Sequence, residues 1–421
     1  MNAPIWGACS TPLTRDFSAP VTAVNSRLQA KSYRDPLPGT STGCPCAFKT
    51  DGFGFRAAPA LIRPSGLSEV RSMPPSKRHF FSHLHPVMVY RRTLSPSTTL
   101  GLGMACLTCL GVLLVTGVTL FLYYTPDTAV AYERILHITT TLYFGRLIRN
   151  LHFVAANALI VLVFLHMARV FFTAAYKSRS LNWQYGLVLL LLVLFANFTG
   201  YVLPWDQVAY WATKVASSLA EYIPFIGGGL RRFLLGGSQV GVETLLRSFA
   251  FHAGVIPPLI VGFTGLHLWR IRKDGGLAAP PHQLGDKIPA DPWLYRAEAS
   301  VALLTLALLL FLALGVDAPL FERADPNHPP NPAKAPWYFV GFQELVGYSA
   351  FWGGVAVPLF LFIFFVLAPY LDRTASPPGM WFARDRFLLN VFFGALLLSQ
   401  VGFIIVGQWF RGPNWGLIWP F

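Results

Sequence analysis

The chain has 421 residues, of which 54% are hydrophobic and only 12% are charged. Soluble domains carry about 25% charged residues, so this composition excludes an ordinary soluble enzyme and indicates an integral membrane protein. The formal net charge of +14 reflects basic loops and a basic N-terminal segment, and it is poorly explained by a nucleic-acid partner.

Seven stretches of roughly 20 residues carry no charged side chain, apart from Arg169 in the second, and each is long enough to cross a bilayer as a helix. The windows are 98–124, about 150–175, 183–203, 248–269, 299–316, 345–369 and 387–407. Because open strands cannot span lipid, the sequence predicts an all-α integral membrane protein with seven transmembrane helices.

Lysine and arginine are more numerous in the segments before the first helix and between helices two and three, four and five, and six and seven. Examples are Arg91, Arg92, Lys177, Arg179, Arg272 and Lys273. Positive residues are retained on the cytoplasmic side. We therefore expect a cytoplasmic N-terminus and a bacterial inner membrane.

Residues 1–75 are a different kind of sequence, rich in Pro, Gly, Ser and Thr and basic overall. This composition predicts a disordered N-terminal extension. A start codon assigned too far upstream, with Met73 or Met88 as the true start, is an equally good interpretation.

The five cysteines predict neither a disulfide framework nor a metal site. Cys9, Cys44 and Cys46 lie in the N-terminal extension, and Cys106 and Cys109 lie in the first helix. The Cys106–Cys109 pair is followed by Leu110, where a covalent haem motif requires histidine. Inert, buried thiols are the favoured interpretation.

Four histidines lie inside the windows as two pairs: His152 and His166 in the second, and His252 and His267 in the fourth. Separations of 14 and 15 residues place each pair on one helix face, roughly 21 Å apart along the axis. The two helices run in the same direction, so His152 lies level with His252, and His166 with His267. Facing histidines can fill both axial positions of a haem iron, and the pattern predicts two non-covalent b-type haems.

Glycines repeat the same interval on the first and third helices, as Gly103 and Gly117 and as Gly186 and Gly200. A missing side chain gives room for a flat macrocycle against the helix. Ordinary close packing of helices is the alternative for any one of them.

Two arginines lie about one helical turn from the histidines of the second helix. Arg149 precedes His152 by three residues, and Arg169 follows His166 by three. Each could pair with haem propionates. An interfacial arginine that extends toward lipid headgroups is nearly as good an interpretation.

Four motifs give the chain a resemblance to cytochrome b, the quinol-oxidising subunit of bc and bf complexes. They are GRLIRNLHFVAANALIVLVFLHMARVF, TGYVLPWDQVAYW, AFHAGVIPPLIVGFTGLHLWRIRKDGG and the weaker KAPWYFVGFQELVGY. The resemblance implies a four-helix di-haem domain over 76–275 and a three-helix quinol-site domain over 276–421. The 15-residue interval, the LPWDQ sequence and the seven helices resemble the chloroplast-like or menaquinol branch, with its two subunits fused.

The resemblance also implies a Q-cycle. Quinol, with menaquinol favoured, is oxidised on the positive side, where His152 and His252 hold the first haem. One electron leaves through a Rieske iron–sulfur protein toward a c-type cytochrome, and the other passes through the second haem to a quinone on the negative side. A homodimeric complex in the lipid membrane is expected, with no nucleic-acid partner.

The same resemblance implies two substrate sites. Residues of the quinol-oxidation pocket would be Tyr201, Pro204, Trp205, Tyr210, Trp211, Ala212, Trp337, Tyr338 and Phe339. A belt of interfacial aromatic residues is the alternative for these side chains. Arg272 and Asp274 are the candidates for the quinone-reduction site.

Two departures from the family pattern carry expectations of their own. Pro336 stands where the family has a proton-accepting glutamate, so we expect Asp206 or Glu344 to replace it, with Glu344 slightly favoured. An ordinary interfacial role for Glu344 is about equally plausible. Gly101 occupies the position of the cysteine that binds a third haem in the bf branch, so no covalent haem is expected.

Two other functions remain open from the sequence. A di-haem membrane anchor of a dehydrogenase or hydrogenase would share the histidine pairs but lack the GYVLPW loop and the last three helices. A transporter with a histidine proton relay would be colourless, whereas a b-type absorption band is expected for a haem protein.

Overall fold

Seven helices are long and apolar enough to span a membrane in the computed structural model, which describes residues 85–275 and 279–420. The spans are Leu102–Phe121, Gly145–Phe172, Ser180–Val202, Val242–Asp274, Trp293–Gly315, Trp352–Leu371 and Arg384–Trp409. The predicted fold class is confirmed. The N-terminal extension with Cys9, Cys44 and Cys46, and the junction at 276–278, lie outside the described residues.

The helices are α1 (Pro96–Thr99), α2 (Leu102–Phe121), α3 (Ala131–Thr140), α4 (Gly145–Phe172), α5 (Ser180–Val202), α6 (Gln207–Ala220), α7 (Gly227–Leu235), α8 (Val242–Phe249), α9 (Ile256–Asp274), α10 (Trp293–Gly315), α11 (Trp337–Tyr348), α12 (Val357–Leu371) and α13 (Phe387–Trp409). Two π-helical segments, Ala250–Val255 and Trp352–Ala356, lead into α9 and α12. Strands β1 (Met88–Tyr90) and β2 (Lys287–Pro289) pair antiparallel, with Met88 opposite Pro289. Short 3-10 turns lie at Arg91–Leu94, Pro281–Gln283, Arg384–Arg386 and Pro413–Trp415.

The window 345–369 was wrong in its boundaries, because it covers parts of two helices. Ser349 takes extended backbone (φ −163°, ψ 123°) and ends α11, and the spanning helix begins at Trp352. An absence of charge does not reveal such a break. The fourth span also begins earlier than predicted, at Val242, because the amphipathic α8 continues directly into the π segment.

The main apolar core joins the two parts of the chain that the sequence analysis separates. Val154 of α4, Val193 of α5 and Ile256 of α9 belong to one buried cluster with Leu309 of α10. Cys109 is fully buried in the same cluster, and Cys106 packs against it. The predicted boundary at 275/276 therefore does not divide the core.

A buried polar network links the α4–α5 connection to the segment between α12 and α13. Arg386 donates from Nε to Asp372 Oδ2 at 2.9 Å and from Nη2 to the Tyr176 hydroxyl at 2.8 Å. Tyr176 donates to the same carboxylate at 2.7 Å. Removing one member of such a buried pair costs about 3–5 kcal/mol, so this contact fixes the C-terminal helices against the first four.

Candidate functional site

The four histidines form two facing pairs, one near each end of α4. The ring centroids of His152 and His252 lie 6.2 Å apart, and those of His166 and His267 lie 6.5 Å apart. Metal–imidazole bonds of about 2 Å on both sides of one ion place the centroids about 6 Å apart. Each pair therefore has room for one iron atom. We call the two ends of the bundle the His152 end and the His166 end.

At the His152 end both Nδ1 atoms have acceptors. Thr116 already donates to the Val112 carbonyl at 2.7 Å, so its oxygen accepts from His152 Nδ1 at 2.9 Å. His252 Nδ1 donates to the Ala196 carbonyl at 2.9 Å. With the hydrogen on Nδ1, the lone pair that can bind a metal lies on Nε2 of each ring.

At the His166 end only one ring is held in this way. His267 Nδ1 donates to the Asn182 carbonyl at 3.2 Å. His166 Nδ1 is buried and has no hydrogen-bond partner in the described part of the chain. The two pairs thus share their spacing but differ in the groups behind the rings.

The π segment Ala250–Val255 explains why one pair is spaced by 14 residues and the other by 15. His252 lies within it. A π turn contains about one residue more than an α turn, so 15 residues here cover the rotation that 14 cover in α4. Pro257 and Pro258 provide no N–H groups at the start of α9, which favours a wider turn before them.

Each predicted glycine lies against one histidine ring. On α2, a Cβ added to Gly103 would lie 3.6 Å from His166 Cε1, and one added to Gly117 would lie 3.3 Å from His152 Cε1. On α5, a Cβ added to Gly186 would lie 3.7 Å from His267 Cε1, and one added to Gly200 would lie 2.5 Å from His252 Cε1. Only the last contact is impossible without movement. The role of these glycines as haem faces stays a prediction.

The two arginines predicted to bind propionates have protein partners. Arg149 donates from Nη1 to the Ala318 carbonyl at 2.8 Å and from Nη2 to the Pro319 carbonyl at 2.5 Å. Arg169 donates to the Thr98 carbonyl at 3.2 Å. Arg149 therefore holds the segment after α10, which the sequence could not reveal.

A third arginine, not identified from the sequence, fits an anionic partner better. Arg179, directly before α5, has Nε and Nη2 buried without a hydrogen-bond partner among the described residues. Burial lowers its pKa, and the charge of Asp274 opposes that effect. Unpartnered guanidinium N–H groups beside the His166 pair suit the carboxylates of a porphyrin.

The structure gives different surroundings to Arg272 and Asp274, the two candidates for the quinone-reduction site. Asp274 pairs with Arg270, one turn earlier, at 2.9 Å, while Arg272 lies on the exposed side of α9. Oδ2 of Asp274 is buried and has no partner in the described residues. The quinone-reduction role of Arg272 and Asp274 stays a prediction, and Arg270 is added to it because it pairs with Asp274.

Asp206 ties the loop after α5 to the segment after α10. It caps α6 by accepting from the Ala209 N–H at 2.9 Å, and it accepts from the Phe321 N–H at 3.1 Å. Its neighbour Gln207 donates from its backbone N–H to the Glu322 carbonyl at 2.8 Å. Burial raises the pKa of Asp206, although these hydrogen bonds and the Arg149 charge oppose the shift.

The start of α11 lies against α4 and α5. Trp337 donates from its indole to Asn157 of α4 at 2.6 Å, and the rings of Phe339 and Phe198 lie 6.5 Å apart. Tyr338 packs on the main core and lies within electrostatic range of Tyr201. The structure therefore brings Tyr338 near Tyr201 and places Phe339 against α5, whereas Trp337 contacts α4.

Other predicted pocket residues have structural contacts. Trp205 and Tyr210 are buried in a cluster with Ala131, Val202 and Leu245. Trp211 donates to the Asp325 carbonyl at 3.2 Å. Pro204, Ala212 and Pro336 are half-buried, and Pro336 directly precedes α11. Their contact with substrate stays a prediction.

The structure argues against Glu344 as the proton acceptor. It lies six residues beyond Tyr338 and on a different face of α11, where Arg411 donates to its two oxygens at 2.5 and 3.0 Å. Burial raises its pKa, but the hydrogen bonds and charge of Arg411 outweigh this and hold the pKa below its usual value. A carboxylate held in this way is a poor base at neutral pH.

No covalent haem was expected at position 101, and the local backbone gives a physical reason. Gly101 precedes α2 with φ +63°, and an added Cβ would lie 2.9 Å from Val301 Cγ2. A cysteine there would be strained and in contact with α10.

These features define a helical membrane protein with two facing histidine pairs between two of its membrane-spanning helices. Residues 92–275 match the family model described as cytochrome b/b6/petB, so this part of the chain is similar to the cytochrome b family. A chain of the solved structure described as "Hyperthermophilic respiratory Complex III" is 26% identical. The likeness covers 74% of this chain and 84% of that chain, with a TM-score of 0.66.

Proposed function

We propose that the protein is the cytochrome b subunit of a quinol:cytochrome c oxidoreductase, or of a complex with an equivalent acceptor. The observation that carries this proposal is the presence of two facing histidine pairs at two depths of the bundle. In three of the four rings Nδ1 is hydrogen-bonded to the protein, which leaves Nε2 as the atom that can bind a metal. When bound, two b-type haems would supply single-electron transfer along the bundle. The proposed location is a bacterial inner membrane, with the His152 end on the positive side.

Quinol oxidation is proposed at the His152 end, where Tyr201, Tyr338 and Phe339 offer aromatic walls to a flat ring. One electron would leave through a Rieske protein to a c-type cytochrome, and the other would pass toward a quinone at the His166 end. A homodimeric complex and menaquinol as the substrate complete the proposal.

Asp206 is proposed as the proton acceptor in place of the missing glutamate. Its raised pKa brings a carboxylate closer to the working pH, which is what a general base requires. Because the base must be deprotonated, the rate should rise as pH increases through the Asp206 pKa.

The test is quinol-driven reduction of cytochrome c by the purified complex, with menaquinol and ubiquinol analogues compared across pH. Asp206→Asn keeps a residue that can cap α6 but removes the base. We expect at least a tenfold slower rate and loss of the acidic limb, with an unchanged b-type absorption band. Asp325→Asn, in the facing loop, is the control and should leave the profile unchanged. An unaltered profile in Asp206→Asn would remove Asp206 from the mechanism.

A further inference from the structure

Glu344 is a fully buried carboxylate that the proposed chemistry does not use. Besides three hydrogen bonds from Arg411, it accepts from the Trp415 indole N–H at 3.0 Å. Arg411 also donates from Nη1 to the Trp415 carbonyl at 2.9 Å. Apart from Tyr348 of α11 itself, the donors at this carboxylate come from the segment that follows α13. We call Glu344, Arg411 and Trp415 the C-terminal clamp.

The segment after α13 is folded tightly enough to act as one unit. The Ile418 N–H donates to the Phe410 carbonyl, and the Gly412 N–H donates to the Gly416 carbonyl, both at 2.9 Å. Trp415 has φ +59°, which is uncommon for a bulky residue and needs support from its surroundings. Its indole provides that support, because it binds Glu344.

The same segment and the last turn of α13 hold the chain that precedes α11. Asn331 donates from Nδ2 to Asn414 Oδ1 at 2.9 Å and accepts from the Asn414 N–H at 2.6 Å. Lys334 donates to the Gln408 carbonyl at 2.7 Å. Both ends of α11 are therefore attached to the C-terminal segment, one before Pro336 and one at Glu344.

One face of α11 is fixed to α13 by close contact. A Cβ on Gly341 would lie 2.6 Å from Gln400 Nε2, and one on Gly407 would lie 3.0 Å from Val340 Cγ2. Tyr338 and Phe339 lie toward the bundle instead. A change at the clamp would therefore move the aromatic residues relative to α5.

We propose that Glu344, Arg411 and Trp415 are positioning residues that hold α11, and with it Tyr338 and Phe339, in the geometry needed for quinol oxidation. The effect on activity rests on the proposed function, whereas the clamp itself does not. It acts through the backbone of α11 and does not exchange protons with substrate.

Paired substitutions separate positioning from proton transfer. Glu344→Gln or Arg411→Gln alone leaves one charge buried without its partner, whereas the double variant removes both charges. We expect each single variant to lower kcat/KM for quinol at least tenfold. In the double variant, kcat/KM for quinol should return to within threefold of the wild-type value, and its pH profile should be unchanged. A double variant no faster than Glu344→Gln would overturn the proposal.

Hydrogen exchange of the intact complex tests the clamp without any assay of activity. In Arg411→Gln and Trp415→Phe, amide exchange in 337–348 should become at least tenfold faster, while α4 and the b-type absorption band stay unchanged. The exchange rates test the clamp independently of whether the complex oxidises quinol. Unchanged exchange in both variants would overturn the clamp.

A glycine pair provides a variant that alters no charge. A Cβ on Gly347 would lie 2.9 Å from Trp415 Nε1, whereas one on Gly402 of α13 meets nothing within 4 Å. Gly347→Ala should displace the indole and speed exchange in α11 at least threefold, and Gly402→Ala should have no effect. Equal behaviour of the two variants would contradict a role for Trp415.

Discussion

The two histidine pairs have the same internal geometry in different surroundings. At the His152 end, Thr116 and Ala196 accept from both Nδ1 atoms, and two donors of Arg149 bind loop carbonyls. At the His166 end, one Nδ1 and part of the Arg179 guanidinium have no partner among the described residues. At the His152 end, backbone carbonyls of a loop occupy the arginine donors. At the His166 end, part of the Arg179 guanidinium is left to bind an anionic group.

For the two proposed haems, this difference implies different reduction potentials. Reduction adds a negative charge, which nearby cationic groups stabilise, so the haem at the His166 end should have the higher potential. An electron would then move from the His152 end toward the His166 end, which is the direction proposed above.

The largest expected effect tests whether the pairs are independent. His267→Ala should reduce the haem content from two per chain to one and leave the His152 pair loaded, because the pairs share no side chain. Haem per polypeptide, measured spectrophotometrically, decides this. His137→Ala, on the exposed side of α3, is the control and should retain both. Two haems in His267→Ala would contradict the pairing.

A second test compares the glycines of α5. Gly200→Ala places a Cβ 2.5 Å from the His252 ring and should displace it, with loss of the haem at the His152 end. Gly186→Ala meets His267 at an ordinary 3.7 Å. Full haem content in Gly186→Ala would mean that this glycine provides space only for the His267 ring and not for a macrocycle. Loss of haem in both variants would instead support close contact with the macrocycle.

An intermediate effect is expected from the arginines. Arg179→Gln should lower the midpoint potential at the His166 end by on the order of 60 mV, the one-electron equivalent of a tenfold change in the equilibrium constant. Arg149→Gln should instead loosen the 317–319 segment and raise the KM for quinol. Redox titration of both variants measures the contrast. Equal shifts of both haems in Arg179→Gln would refute the assignment of this arginine to one end.

The smallest expected effect concerns the hydroxyl behind His152. Thr116→Val leaves the Nδ1 hydrogen without an acceptor, so the ring becomes a weaker donor to ferric iron. The potential at the His152 end should rise by about 10–30 mV, which is a fraction of the roughly 20–65 mV that corresponds to a whole neutral hydrogen bond. Thr119→Val, about one turn away and half-buried, is the matched control, because the Thr119 hydroxyl donates to the Val115 carbonyl of its own helix. A shift confined to the other haem would contradict the assignment.

The histidine pairs could be predicted because helical periodicity places residues 14 or 15 apart on one face, whatever the rest of the fold. The seven spans followed from composition for the same local reason. Glu344 could not be assigned in this way, because its partner Arg411 is distant in the sequence. Arg149 is similar, since its acceptors at 318 and 319 come from a segment that only the folded chain brings close. Long-range hydrogen bonds in loops have no periodic signature.

The π segment at His252 also bears on how relatives of this chain should be aligned. Deleting one residue from 253–255 would shorten the interval to 14 residues, convert the wide turn into an ordinary α turn and leave both histidine rings of this helix facing α4. The number of residues between two ligands is therefore not a measure of the distance between their metals. Relatives with intervals of 14 and 15 can hold their two redox centres at the same separation.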